Sequence, residues 1–194
     1  VEQMGYQTAS TSGAGLFNSR FGMSESLGVM SMLENVEACR QLAQAVDIPM
    51  MADADTGYGN AVTVTQTVRH FEQAGVVGIN IEDQTFPKRC GHAGGKELID
   101  ALEMAKKIEA AVHARRDDDF IIVARTDAIA VEGIDQAIAR AKLYAAAGAD
   151  MIFPDAVRSE EQIRRFVNEV GIPITINMGL GIRSRATTPL IPVG

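Results

Sequence analysis

Short, strongly apolar runs alternate along this chain with longer stretches in which apolar residues recur at helical spacing. Strands are predicted at residues 7–12 (QTASTS), 48–53 (IPMMAD), 77–83 (VGINIED), 120–127 (FIIVARTD), 151–156 (MIFPDA) and 173–178 (PITINM). Amphipathic helices are predicted at about 32–46, 61–74, 100–115, 134–147 and 159–169. Helices of that length between strands imply parallel pairing through right-handed crossovers. Strands that are nearly continuous in apolar residues imply a sheet covered on both faces.

Two architectures fit this rhythm, an open doubly wound sheet and a closed (β/α)8 barrel. A doubly wound sheet gathers its polar ligands at one switch point, whereas here polar residues close at least five strands: Asp53 with Asp55, Glu82, Arg125 with Asp127, Asp155, and Asn177. That distribution favours an α/β fold of the TIM-barrel type. Six strand candidates are visible where a barrel needs eight in about 250 residues. The chain begins just before a strand and stops soon after one. The expectation is therefore a single catalytic domain over 1–194, a (β/α)8 barrel whose first and last β/α units are absent.

Composition narrows the partners. With 194 residues, 46% of them hydrophobic and 22% charged, the chain has the composition of an ordinary globular domain with one sizeable core. A net charge of −7 and a pI near 5.0 argue against nucleic acid or an anionic membrane as main partner, since both select a basic surface. Any anion must be gathered by a local basic site. Two cysteines, Cys39 and Cys90, make no disulfide framework and point to a reducing compartment. No apolar run approaches the roughly 18 residues of a bilayer span. The opening VEQMGYQTAS lacks the basic start and apolar centre of a signal peptide. A cytoplasmic protein is expected.

Candidate chemistry begins at DADTGYG, 53–59, where Asp53 and Asp55 share parity and direct two carboxylates to one side. Inward acids repel unless a cation lies between them; a solvated turn is the alternative. An EF-hand loop also starts D-x-D, but its twelfth position needs Glu and here holds Val64. Glu82 shares the parity of Asn80, with Ile79 and Ile81 on the other face. Asp53, Asp55 and Glu82 can thus surround one hard cation, and oxygen-only ligands point to Mg2+ or Mn2+ rather than Zn2+. Arg125 follows an apolar run, so its guanidinium meets either a neighbouring acid or a substrate carboxylate, with Asp127 placed to orient it.

The stretch FPKRCGHAGGK, 86–96, sets Lys88, Arg89 and His92 around Cys90. Their positive potential favours thiolate and suits proton transfer. Glycines 91, 94 and 95 give the hinge freedom of a lid; a surface loop with an incidental thiol is the plainer alternative. Ligand spacing for zinc and the order of a Walker loop are both lacking. Further on, NMGLGIRSRATTPL adds Asn177, Arg183, Arg185, Thr187 and Thr188, the two arginines being equally compatible with exposed loop charge.

DADTGYGN, GINIEDQ, PKRCGH, VARTDA and AGADMIFPDA, in this order and over nearly the whole chain, closely resemble the isocitrate lyase and phosphoenolpyruvate mutase superfamily, and K-R-C-G-H marks the lyase branch, of the methylisocitrate lyase or dimethylmalate lyase type. The resemblance implies a (β/α)8 barrel holding Mg2+ (Mn2+ as a substitute) on Asp53, Asp55 and Glu82, partly through water. It implies retro-aldol-type cleavage of a 2-hydroxy polycarboxylic acid such as 2-methylisocitrate to a 2-oxo acid such as pyruvate plus a dicarboxylate such as succinate. Cys90 would be the general acid/base, with Lys88, Arg89, Gly91 and His92 around it, and Arg125 would bind a substrate carboxylate. Ser12, Gly13 and Ala14 match the turn that cradles the 2-oxo acid end, and Asn177 and Thr188 match the far wall. A homo-oligomeric parent, a tetramer, is implied as well. Two departures bear on the substrate: MSES brings Ser24 and Glu25 where the family has Pro-Asp, and Asp155 stands where the lyases commonly carry Glu. A phosphonomutase or oxaloacetate-cleaving relative and a metabolite-binding remnant are the rival readings.

Overall fold

The computed structural model describes residues 1–22, 29–89 and 94–177. Its framework is a parallel sheet of β1 (Ala9–Ser10), β2 (Met50–Asp53), β3 (Gly78–Glu82), β4 (Ile121–Thr126) and β5 (Met151–Pro154), in the order β1-β2-β3-β4-β5. The order never reverses, so the described strands contain no switch point, and the doubly wound alternative gives way to the winding of a barrel. What is observed is a half-barrel. Ile174 adds one parallel bridge to Ile152, all that the strand predicted at 173–178 forms among the described residues.

The helices are α1 (Gly13–Phe21), α2 (Met32–Ala43), α3 (Ala61–Gln73), α4 (Ala101–Ala114), α5 (Ala128–Val131), α6 (Ile134–Ala146) and α7 (Glu160–Val170), after a 3-10 turn at Glu2–Met4. All five predicted helices are present within a few residues of their expected bounds. Helix α1 is not among those predicted, because GAG reads as a turn. Ser12 overrides that by capping: its Oγ accepts from Gly15 N at 3.2 Å. The strand predicted at 7–12 shrinks to β1, since the chain turns into this helix directly after it.

Alternation along the strands sorts the side chains. Ala52, Ile79, Ile81, Ile122, Ala124 and Ile152 point outward, where α3, α4 and α6 bring Val64, Val68, Phe71, Met104, Ile108 and Ala141 against them, all fully buried. The opposite set faces the barrel interior: Met51 and Asp53, Asn80 and Glu82, Val123 and Arg125, then Phe153. Gly78 lies at the base of that set. A Cβ there would come within 2.5 Å of the Ile121 carbonyl oxygen and 2.8 Å of Met51 Cε, so the close approach of β3 and β4 requires glycine. Among the described residues no helix is long and apolar enough to cross a membrane.

Candidate active site

Charged residues gather where β2, β3, β4 and β5 end, the same end of a parallel sheet. Asp53 closes β2 with both oxygens engaged: Oδ1 accepts from Asp55 N at 3.0 Å and Oδ2 from Gly13 N at 3.3 Å. A side chain at Gly13 would strike that carboxylate, with a Cβ 2.9 Å from Oδ2. Asp55 lies beyond the strand with φ 50, yet its Oδ1 stands 3.4 Å from the same point. The two carboxylates converge as parity suggested, though for Asp55 a left-handed turn brings this about. Asn35 braces the turn from α2, donating to Asp53 O at 2.7 Å and to Tyr58 Oη at 2.6 Å. From α4 the buried Lys107 ammonium donates to the Thr56 carbonyl.

Glu82 ends β3 almost wholly buried, and neither carboxylate oxygen accepts a hydrogen bond. Lys88 Nζ is 3.9 Å from Oε1 and Arg125 Nε is 3.4 Å from Oε2. Burial pushes the carboxyl up to about 8, against the pull of both cations. Lys88 reaches further to Asp55 Oδ1, at 2.8 Å. Its charge is therefore directed at the acids of the strand ends.

Arg125 lies one residue before the end of β4 and is shared among three acids. Nε donates to Asp127 Oδ2 at 3.0 Å and Nη2 to Asp127 Oδ1 at 3.2 Å, while Asp155 Oδ2 is 3.5 Å from Nη2. Its plane lies over the Phe153 ring, 5.3 Å from the centroid. Asp127 orients the fork as expected. Burial raises its carboxyl, but Arg125 and Lys96 outweigh burial and hold it well below the usual range. Lys96 donates to Asp127 Oδ1 at 2.9 Å and stands 3.6 Å from Asp155 Oδ2. Arg89 is held away from the acids: its N–H donates to Gln84 Oε1 at 3.0 Å, its carbonyl accepts from Gln84 Nε2 at 3.0 Å, and its Nη1 donates to the Gly94 carbonyl at 3.4 Å.

Beside these groups lies a cavity of about 670 Å3 whose wall includes Ser12, Gly13, Ala14, Asp53, Arg125, Asp155 and Asn177. Asp55, Glu82 and Lys88 stand outside that lining. Among the described residues no three His, Cys, Asp or Glu side chains are grouped to hold one metal ion directly. Cys90, Gly91 and His92, as well as Ser24, Glu25, Arg183, Arg185, Thr187 and Thr188, lie outside the described residues. Lys96, Asn35, Tyr58 and Lys107 carry no distinguishing mark in the sequence. A lysine after two glycines, or one among helical charges, reads as a surface residue, and only burial separates these from the rest.

Sequential parallel strands with acids, an arginine and lysines at their carboxyl ends define an α/β half-barrel with a charged cluster and a cavity at those ends. The chain belongs to the phosphoenolpyruvate phosphomutase family, whose profile matches residues 1–189. It is 44% identical to the 2-methylisocitrate lyase of Shewanella oneidensis over 178 residues, 92% of this chain and 61% of that one. The crystal structure of 2,3-dimethylmalate lyase, described as a PEP mutase/isocitrate lyase superfamily member, superposes with TM-score 0.87 at 33% identity, covering 91% of this chain and 60% of that one. A phosphonopyruvate hydrolase complex with oxalate and Mg2+ superposes with TM-score 0.79 at 37% identity, covering 90% and 61%. The chain thus spans about three fifths of the length of the relatives it matches.

Proposed function

We propose that this chain is the catalytic part of a divalent-metal-dependent carbon–carbon lyase that cleaves a 2-hydroxy polycarboxylic acid of the 2-methylisocitrate type. The observation that carries the reading is the convergence of Asp53, Asp55, Glu82 and Arg125 at the strand ends, beside the α1 N-terminus and a cavity that Asp53 and Arg125 line. In this reading residues 1–194 are one domain, a large part of a (β/α)8 barrel whose first and last units are supplied outside them. A homotetrameric, cytoplasmic parent belongs to the same reading.

A divalent ion suits the donors. In formal charge the five carboxylates of Asp53, Asp55, Glu82, Asp127 and Asp155 exceed the three cations Lys88, Lys96 and Arg125 by two. Glu82 offers two buried oxygens that accept no hydrogen bond. All the donors are hard oxygens, which select Mg2+ or Mn2+. Asp53, Asp55 and Glu82 would hold the ion partly through water, and when bound it supplies Lewis-acid polarisation of the substrate's 2-hydroxyl and adjacent carboxylate.

The chain's own groups do the rest. Ser12, Gly13 and Ala14 present the start of α1 to the carboxylate of the 2-oxo acid end, where backbone N–H groups and the helix dipole favour an anion. Arg125, fixed by Asp127, turns its fork to a second carboxylate and meets the charge that develops as the carbon–carbon bond breaks. Asp155, Asn177 and Thr188 would bound the pocket on the far side. The 2-hydroxyl proton passes to solvent, its oxygen becomes the carbonyl of the 2-oxo acid, and the bonding pair leaves with the second fragment as the enolate form of a carboxylate. Cys90 protonates that carbon, with Lys88, Arg89, Gly91 and His92 around it.

The test is a substrate panel on the full chain. Release of 2-oxo acid from 2-methylisocitrate or 2,3-dimethylmalate, dependent on Mg2+ and reduced about 100-fold or more in Cys90→Ser, is expected for a general acid. Turnover of phosphonopyruvate or oxaloacetate alone would transfer the chain to a rival branch.

A further inference from the structure

Lys88 approaches the strand ends from the segment after Gln84, and its side chain is 4% exposed. Its Nζ spans two carboxylates, 2.8 Å from Asp55 Oδ1 and 3.9 Å from Glu82 Oε1. Glu82 is itself 1% exposed, and both its oxygens depend on cations rather than hydrogen bonds for compensation. The buried Glu82 carboxyl and the half-buried Asp55 carboxylate face this one ammonium, and acids brought so close in a low-dielectric site favour a cation between them. The ammonium is such a cation, and it has three donors and no acceptor, so it cannot itself ligate a metal.

We propose that Lys88 is an internal counter-ion: its ammonium compensates Asp55 and Glu82 in the metal-free protein and is displaced when a divalent ion binds. The inference rests on the metal reading proposed above and adds to it that metal affinity is set by competition with this lysine. An ion drawing on the same oxygens repels the ammonium, so binding includes the cost of moving Lys88. The divalent ion and the lysine are alternative occupants of one electrostatic position.

The test titrates Mn2+ into the full chain, following free Mn2+ by its paramagnetic resonance signal, for the wild type, Lys88→Met and Lys142→Met. Lys142 carries the same charge on the surface, 3.6 Å from Glu169, and controls for net charge. Competition predicts that Lys88→Met binds Mn2+ about tenfold more tightly, ~1.4 kcal/mol, while Lys142→Met is unchanged. Equal affinity in wild type and Lys88→Met, or an equal gain in both variants, would overturn the proposal. Should Lys88→Met not fold without metal, the wild type serves: reductive methylation of Lys88, read by peptide mass spectrometry, rises on saturation with Mg2+, and an unchanged yield contradicts displacement. Asp55→Asn and Glu82→Gln separate the two levels. If neither alters Mn2+ binding in any background, the metal reading and this inference fall together; if both do and Lys88→Met does not, this inference alone falls.

Discussion

Arg125 shows how one side chain is made both fixed and available. Asp127 holds two of its donors, and Glu82 and Asp155 stand further off at 3.4 and 3.5 Å, distances that leave both pairs loose. Lysine at this position would keep the charge and lose the planar fork. Arg125→Lys is expected to lower kcat/KM about 100-fold in steady-state kinetics, ~2.7 kcal/mol, and a loss below about threefold would remove Arg125 from carboxylate binding. The two thiols are expected to differ. Cys39 is fully buried in the core, and burial pushes it up to about 11, so alkylation of the folded protein should leave it unmodified while Cys90 reacts. Peptide mapping after brief labelling checks this. Single residues are most readable in the sequence where they end an apolar run, as Asp53, Glu82, Arg125 and Asp155 do. Lys96 and Asn35 are not, because what makes them matter is a partner brought near by the fold, Asp127 from β4's end and Asp53 from β2's.

Elements are set by caps and close approaches as much as by periodicity. Helix α2 starts in a capping box, in which Ser31 Oγ accepts from Glu34 N at 3.4 Å and Glu34 Oε2 accepts from Ser31 N at 2.9 Å. Ser31→Ala should cost about 1 kcal/mol in denaturant unfolding. Hydrogen bonding to Ser31 lowers the Glu34 pKa, so the stability it contributes is fully present above its unfolded value of 4.5 and is lost as pH falls through the lower folded value. The gap between Ser31→Ala and wild type should accordingly be wider near neutrality and narrow in acid to what the Ser31 Oγ bond to Glu34 N–H contributes; a gap independent of pH would mean that the Ser31 hydroxyl does not stabilise the Glu34 carboxylate. Between β3 and β4, Gly78→Ala should destabilise by roughly 1–3 kcal/mol, since the added methyl meets backbone at the Ile121 carbonyl. Helix α1 is hidden in the sequence because GAG imitates a turn, and its decisive feature, the Ser12 cap, is a local hydrogen bond that competes with that reading. The five longer helices α2, α3, α4, α6 and α7 are legible from spacing alone.

Across the whole molecule, the half-barrel divides its labour by face. Outward strand residues make the core with α3, α4 and α6, and inward ones, Asp53 and Arg125 among them, border the cavity. Strand alternation makes this division readable in advance. The convergence of four strand ends on one charged cluster is readable only as an inference from fold class, since no local pattern encodes contacts between residues as distant as Glu82 and Arg125 or Lys96 and Asp155. Completed by a divalent ion, this cluster is proposed to cleave a carbon–carbon bond. The deciding quantity is the rate of 2-oxo acid release from 2-methylisocitrate as Mg2+ is titrated into the full chain, wild type beside Glu82→Gln. A saturable, Mg2+-dependent rate that falls about 100-fold or more in Glu82→Gln is expected. A rate indifferent to Mg2+, or equal in the two proteins, would contradict the assignment.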